Sequence, residues 1–138
     1  MALDVGSKRI GIAIADPSGS FALPIGAITR GNRRSDLAAI ESYVQSYGVD
    51  EIVVGDPLTL RGERGIAAQA MDEFVDTLRE IFAGAIHRVD ERMTTAQATK
   101  SLIAADVSRR KRREVVDAMA AALILELFLA RRRNAAQR

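Results

Sequence analysis

The sequence predicts an α/β fold, a mixed sheet covered by helices, and three observations lead there. Three strand-like runs follow one another before residue 30, with only turn-length spacers between them. From residue 35 onward, helical and strand periodicities alternate. A meander followed by βαβ units puts antiparallel and parallel strands in one sheet, with the crossover helices on its faces. Finally, the chain has 138 residues, 48% hydrophobic and 28% charged, which is enough to bury one core and reads as a single domain over 1–138.

Residues 2–5 and 9–15 read as strands, because Ile10, Ile12 and Ile14 alternate with Gly11 and Ala13 at a period of two. Gly6-Ser7 permits a tight turn, so these two runs form a hairpin. Asp16-Pro17-Ser18-Gly19 is turn chemistry, and residues 21–28 follow as a third strand that Pro24 confines to an edge or a bulge. Ser35 is placed to N-cap a helix through Tyr47, with Leu37, Ile40, Val44 and Tyr47 on one stripe and Gly48 as its stop. Residues 51–55 make a short apolar strand that ends in Gly55-Asp56-Pro57. Residues 66–82 form an amphipathic helix with Ala67, Ala70, Phe74, Leu78 and Ile81 facing in, closed by Gly84. Residues 86–90 are another strand, residues 94–97 a capping box opening a helix to about Ala105, and residues 113–131 the last helix. This order matches the ribonuclease H-like arrangement better than a doubly wound nucleotide-binding fold, which does not begin with three consecutive strands.

Composition narrows the function. Twenty basic and 18 acidic side chains leave a formal charge of +2, which excludes a histone-like polycation. Residues 1–99 hold 10 basic and 14 acidic side chains, whereas residues 100–138 hold 10 basic and 4 acidic. Such polarity points to an anionic partner, nucleic acid first and acidic membrane second. All but three of the cations are Arg, whose planar fork suits phosphate. The absence of cysteine excludes disulfides, zinc-thiolate sites and thiol catalysis. A single histidine, His87, argues against a His-based triad or a multi-histidine metal centre and reads as structural. No apolar run approaches the roughly 18 residues that span a bilayer. The first residues do not read as a signal peptide. A cytoplasmic protein with no membrane attachment is therefore expected.

The informative residues are acids where a core pattern calls for apolar side chains. Asp4 interrupts the first strand, where an unpaired buried carboxylate is costly; the plain alternative is a solvated strand face. Asp117 projects onto the last helix's apolar stripe of Val116, Ala120, Leu123, Ile124, Leu127 and Phe128. Its plain alternative is the preference of acids for the first helical turns. Asp90-Glu91 ends a strand, where sites in α/β sheets often lie, and the pleat turns only one of the two toward any given face. Converging carboxylates repel one another unless a cation holds them. Oxygen-only ligands suit Mg²⁺ or Mn²⁺. Two such ions about 3.5–4 Å apart can activate a water and stabilise the leaving oxygen of a phosphodiester.

Four ordered blocks carry a resemblance over nearly the whole chain. They are Ala-Leu-Asp-Val-Gly-Ser-Lys-Arg-Ile-Gly-Ile-Ala at 2–13, Ile-Val-Val-Gly-Asp-Pro-Leu at 52–58, Asp-Glu-Arg-Met-Thr-Thr-Ala-Gln-Ala at 90–98 and Val-Asp-Ala-Met-Ala-Ala-Ala-Leu-Ile-Leu at 116–125. In these the sequence resembles the YqgF/RuvX family, which is similar to Holliday-junction resolvases of the ribonuclease H-like fold. The resemblance implies a nuclease that processes the 5′ end of pre-16S ribosomal RNA, with junction resolution or exonuclease action on DNA as the alternative. It implies that Asp4, Glu91 and Asp117 are the metal-binding catalytic acids, with Asp90 as the alternative to Glu91. One departure is the leader before the first strand, which is several residues shorter than is usual in relatives.

The basic run Ser108-Arg109-Arg110-Lys111-Arg112-Arg113, just ahead of the helix that carries Asp117, is placed to neutralise backbone phosphates. Its plain alternative is a solvated loop. Lys8 and Arg9 beside Asp4, and Arg61 and Arg64 in the Gly-rich loop after Asp56, are further candidate contacts. That loop lacks the Lys-Ser/Thr ending of a P-loop. Arg131, Arg132 and Arg133 read as an exposed helix end. With aromatics at 4% and no Trp, stacking platforms are not expected and recognition falls on backbone and shape. Tyr43 and Tyr47 read as packing residues, and Met71, Met93 and Met119 as core fillers. The expected partner is pre-rRNA, or branched or single-stranded DNA, bound by a monomer or homodimer. Competing classes are a non-catalytic ribosome-assembly or nucleic-acid binder, and an actin-like ATPase suggested by Asp4-Val5-Gly6-Ser7. The ATPase needs two such domains, for which 138 residues do not suffice.

Overall fold

The computed structural model describes residues 1–56, 65–90 and 109–136. Three strands open the chain: β1 (Ala2–Val5), β2 (Arg9–Ala15) and β3 (Ala22–Thr29). Then come α1 (Arg33–Tyr47), β4 (Glu51–Asp56), α2 (Ile66–Ile81), β5 (Ala85–Asp90) and a long last helix, here α3 (Arg109–Ala136). The five strands form one sheet in the order β3-β2-β1-β4-β5. The meander pairs antiparallel, and β1, β4 and β5 run parallel. The mixed sheet expected from the sequence is present. The capping box at 94–97 and the helix expected from it lie outside the described residues, as do Met93, Glu91, Arg61 and Arg64.

The local reasons are visible in the hydrogen bonds. Asp16 closes the β2–β3 turn by accepting from the backbone N–H groups of Ser20 and Phe21 at 2.8 and 2.7 Å, while Gly19 takes a φ of 71°. Those donors, with the Ser18 hydroxyl first among them, hold the exposed Asp16 carboxyl below its ordinary range. Pro24 sits on the edge strand beside a register shift at Ile12/Ala13, where its missing N–H does least harm. The N-cap of α1 is Asn32, not Ser35: the Asn32 side chain accepts from the Ser35 N–H at 2.8 Å, and the Ser35 hydroxyl donates back to the Asn32 carbonyl. Asn and Ser cap comparably, so sequence alone does not separate them. Gly48 ends α1 in the left-handed region, as expected.

Two helix stripes differ from the expectation. On α2 the buried residues are Ala68, Met71, Val75 and Leu78, with Phe82 beyond the last turn, whereas Ala70 is exposed. Of the predicted stripe, Leu78 is fully buried and Phe74 and Ile81 pack partly buried against the same core, so the inward face is wider than predicted and is centred nearer Met71 and Val75. The last helix starts at Arg109 and not near 113, so the backbone of the basic run is helical. Arg and Lys are good helix formers, and nothing in the run breaks a helix.

Pleating sorts the side chains onto two faces. Leu3, Ile10, Ile12, Ile52 and Val54 pack with Ile40 of α1 and Met71, Val75 and Leu78 of α2. Ala2, Ala13, Val53 and Val89 pack with Ala121, Ala122, Ile124, Leu125 and Leu129 of α3. Tyr43 joins the first cluster, and its ring stacks on Tyr47 at 6.2 Å between centroids.

Candidate active site

Asp4 lies next to the C-terminal end of the central strand and is only 9% exposed. Ala2 belongs to the α3-side cluster, so a two-residue period turns Asp4 toward α3. Its cross-strand neighbour is Gly11 of β2. A Cβ built on Gly11 would collide with the backbone carbonyl of Asp117. The glycine is therefore what lets α3 ride directly on the sheet at this point, and it sets Asp4 and Asp117 on one face. Gly55 of β4 shares that face by parity with Val53, so the strand next to Asp4 adds no side chain there.

Asp117 is 8% exposed and sits in the middle of the buried stripe of α3, in phase with Ala121, Ile124 and Leu125. It lies more than two turns inside a helix that begins at Arg109, too deep for the helix-end preference of acids to account for it. The Arg9 side chain donates from Nε to Asp117 Oδ2 at 2.5 Å. Arg9, expected at the nucleic-acid backbone, thus stands at the rim of the acidic pair. Lys8 occupies the exposed β1–β2 turn and Arg113 an exposed position near the start of α3.

Asp90 faces the other way. Its strand neighbour two residues back, Arg88, donates to Asp72 of α2 and to Asp56 at 3.1 Å, which places the even-numbered positions of β5 on the α2 side. Asp90 pairs in register with Asp56 and does not share a face with Asp4 and Asp117. Among the described residues, no three of His, Cys, Asp and Glu lie close enough together to hold a metal ion. The donor set on the α3 face at this end, two buried carboxylates and no imidazole or thiolate, fits an oxygen-ligated divalent cation.

The remaining polar contacts are structural. At the far end of the same face, Arg132 grips Glu51 with both terminal nitrogens at 2.9 Å and lies over the Phe128 ring. His87 bonds the same Glu51 at 3.1 Å and packs on Phe128. The Arg132 fork, seconded by His87, pulls the Glu51 carboxyl down to about 2 against the effect of partial burial. Arg132 stands on the exposed helix end that the sequence predicts and in addition clamps α3 to the sheet, and His87 is structural as expected. Sequence reasoning passed over two residues that shape the site. Gly11 carried a usable signal, since a glycine inside a strand marks close backbone approach. Arg30 carried none in its own neighbourhood. It bonds the Gly6 carbonyl at 2.8 Å and the buried Asp36 carboxylate at 3.4 Å, tying the turn after Asp4 to α1.

Residues 1–131 match the family model RuvX, described as Holliday junction resolvase. A protein of Moorella thermoacetica is 44% identical over 131 residues, covering 95% of this chain and 94% of its own. A protein of Geobacillus kaustophilus is 43% identical over 131 residues, covering 94% and 95%. One of Desulforudis audaxviator is 40% identical over 134 residues, covering 97% and 95%. Each of the three bears the name "Putative pre-16S rRNA nuclease".

Proposed function

The chain belongs to the RuvX family, and on that premise we propose that it is a metal-dependent phosphodiester nuclease that processes the 5′ end of pre-16S rRNA. The observation that supports the reading is that two buried carboxylates, Asp4 and Asp117, lie on one face of the sheet where Gly11 lets helix and sheet meet. Two buried oxygen donors on that face, one of them held by Arg9, suit a divalent cation. Asp4 and Asp117 would hold Mg²⁺ or Mn²⁺. Glu91 supplies the third carboxylate, because Asp90 is committed to the opposite face. Such a cation lowers the pKa of a bound water and stabilises charge on the phosphoryl oxygens.

The chain's own residues then do the positioning. Asp4 is fixed by a central strand and Asp117 by a helix packed on the sheet from Asp117 to Leu129, so both acids stand on rigid elements. Arg9 pairs with Asp117 and so keeps a guanidinium at the edge of the acidic pair, where a substrate phosphate would meet it. The cations at 109–113, with Lys8, Arg61 and Arg64, attract and hold the strand. No helix among the described residues is long and apolar enough to cross a membrane, and a role on ribosomal precursors fits the cytoplasm. One domain, as a monomer or homodimer, suffices for trimming a single strand. The test is cleavage of a labelled pre-16S precursor with Mn²⁺ or Mg²⁺ by the wild type and by an Asp4→Asn/Asp117→Asn variant. A loss of at least about 10³-fold is expected, since removing members of a catalytic unit costs on that scale. Equal cleavage by the two proteins sinks the assignment. The family description favours a second reading, resolution of four-way DNA junctions. Faster cleavage of a synthetic junction than of the RNA precursor, by a two-fold symmetric dimer, would select it.

A further inference from the structure

The β1–β2 turn, the end of β3 and the start of α3 enclose a groove of about 490 Å³ next to the acidic pair. Lys8 and Arg9, Arg30, and Arg113 reach it from three separate segments of the chain, against a single carboxylate among the described residues, Glu114. Arg9 and Arg30 are half-buried and anchored by Asp117 and Asp36. Lys8 and Arg113 are exposed and have no ion-pair partner among the described residues. Like charges gathered at one place repel, so the cluster is costly unless an anion is shared among them. The other lining side chains are the hydroxyls of Ser7 and Thr29, which donate well to phosphate oxygens. Among the described residues no aromatic or large apolar side chain lines the groove, so these offer a base nothing to stack on. Its chemistry is that of a backbone phosphate.

Arg9 joins the groove to the acids. Its side chain lines the groove while its Nε holds Asp117, so the two share a wall. We infer that this groove seats the phosphodiester neighbouring the one that is cleaved, with Lys8 and Arg113 as its solvent-facing cations. The inference rests on the nuclease reading and adds to it the direction in which the strand leaves the acids: over the β1–β2 turn, between β3 and α3.

The test is fluorescence anisotropy with a short labelled single-stranded RNA, and with DNA of the same sequence. Both are titrated over a salt series in EDTA so that nothing is cut. Cleavage of the RNA with Mn²⁺ is followed in parallel. Lys8→Gln/Arg113→Gln is compared with Arg79→Gln/Arg131→Gln, two exposed arginines outside the groove. Removing two phosphate contacts lowers the slope of log K against log salt by about 1.4, at about 0.7 per contact on single strands. The expected loss at fixed salt is about tenfold on RNA and DNA alike, with the control pair close to wild type. A groove variant that binds no worse than the control pair, while the wild type binds and cleaves, rejects the groove and leaves the nuclease reading standing. A loss confined to RNA rejects the assignment to backbone phosphate. A wild type that neither binds nor cleaves rejects the nuclease reading and the groove with it.

Discussion

On the α1/α2 side the sheet presents Leu3, Ile10, Ile12, Ile52 and Val54. On the α3 side the same strands present Ala2, Asp4, Gly11, Ala13 and Val53. The first set is what a stable core asks for: each large aliphatic side chain contributes roughly 1.5–3 kcal/mol by leaving water. The second set gives up most of that area. In exchange the backbone of α3 comes close to the sheet, and a buried carboxylate of α3 shares this face with one of β1. One face of a five-stranded sheet secures the fold, and the other spends stability on placing charges. The two faces should therefore answer mutation differently, in size and in what is lost.

Adding one carbon to the α3 face should do the greater damage. Gly11→Ala drives a methyl group into the Asp117 carbonyl, a backbone atom of a helix packed on the sheet from Asp117 to Leu129. The expected cost is about 3 kcal/mol or more, at the top of the range for overpacking. Cleavage by the molecules that remain folded should fall at least about 100-fold, the scale set by displacing a catalytic group by about 1 Å. Urea unfolding and single-turnover cleavage measure the two effects. Wild-type stability and activity in this variant would show that α3 does not depend on the close approach.

Removing three carbons from the other face should cost less and cost only stability. Leu78→Ala empties a fully buried position on α2 and is expected to destabilise by about 2–4 kcal/mol. Activity per folded molecule should stay within about twofold of wild type, because Asp4 and Asp117 lie on the opposite face of the sheet. Loss of cleavage in a variant shown to be folded would mean that the two faces are not separable.

The same contrast explains how far the sequence could be read. Strand alternation and turn residues exposed the sheet, because a two-residue period and Gly-Ser or Asp-Pro-Ser-Gly turns are local signals. Asp4 and Asp117 were legible because each breaks an apolar pattern that is itself local. The stripe of α2 was read correctly at Phe74, Leu78 and Ile81 and missed at Ala70, since Ala70 and Met71 are both apolar and only packing against α1 and the sheet chooses between them. Arg9 on Asp117, Arg132 on Glu51 and Arg30 on Asp36 join residues 108, 81 and 6 positions apart. An arginine carries no mark of the carboxylate it will meet. For that reason a helix end that looks solvated became a clamp, and a residue with no motif became a wall of the groove.

The smallest effect lies at the other end of the α3 face, where Glu51 answers Arg132. Fifteen residues of helix separate Arg132 from Asp117, about 22 Å at 1.5 Å per residue. A change at Glu51 should therefore test the helix anchor without reaching the acids. Its carboxyl is held at about 2 in the folded protein against an ordinary 4.5. A depressed folded pKa means that the charged form contributes stability in full above about pH 4.5. That contribution is lost as pH falls through the interval down to about 2. The side chain is 36% exposed, so solvent screens the pair and the contribution at pH 7 is about 1 kcal/mol or less. Glu51→Gln keeps an amide in place of the carboxylate and removes only the charge. Urea unfolding across a pH series should show the variant less stable by that amount at pH 7, with the gap closing between pH 4.5 and 2, and cleavage at pH 7 unchanged. A gap that stays constant down to pH 2 would assign the clamp's contribution to hydrogen bonding and packing on Phe128, and a fall in cleavage would show that strain at one end of α3 reaches the acids at the other.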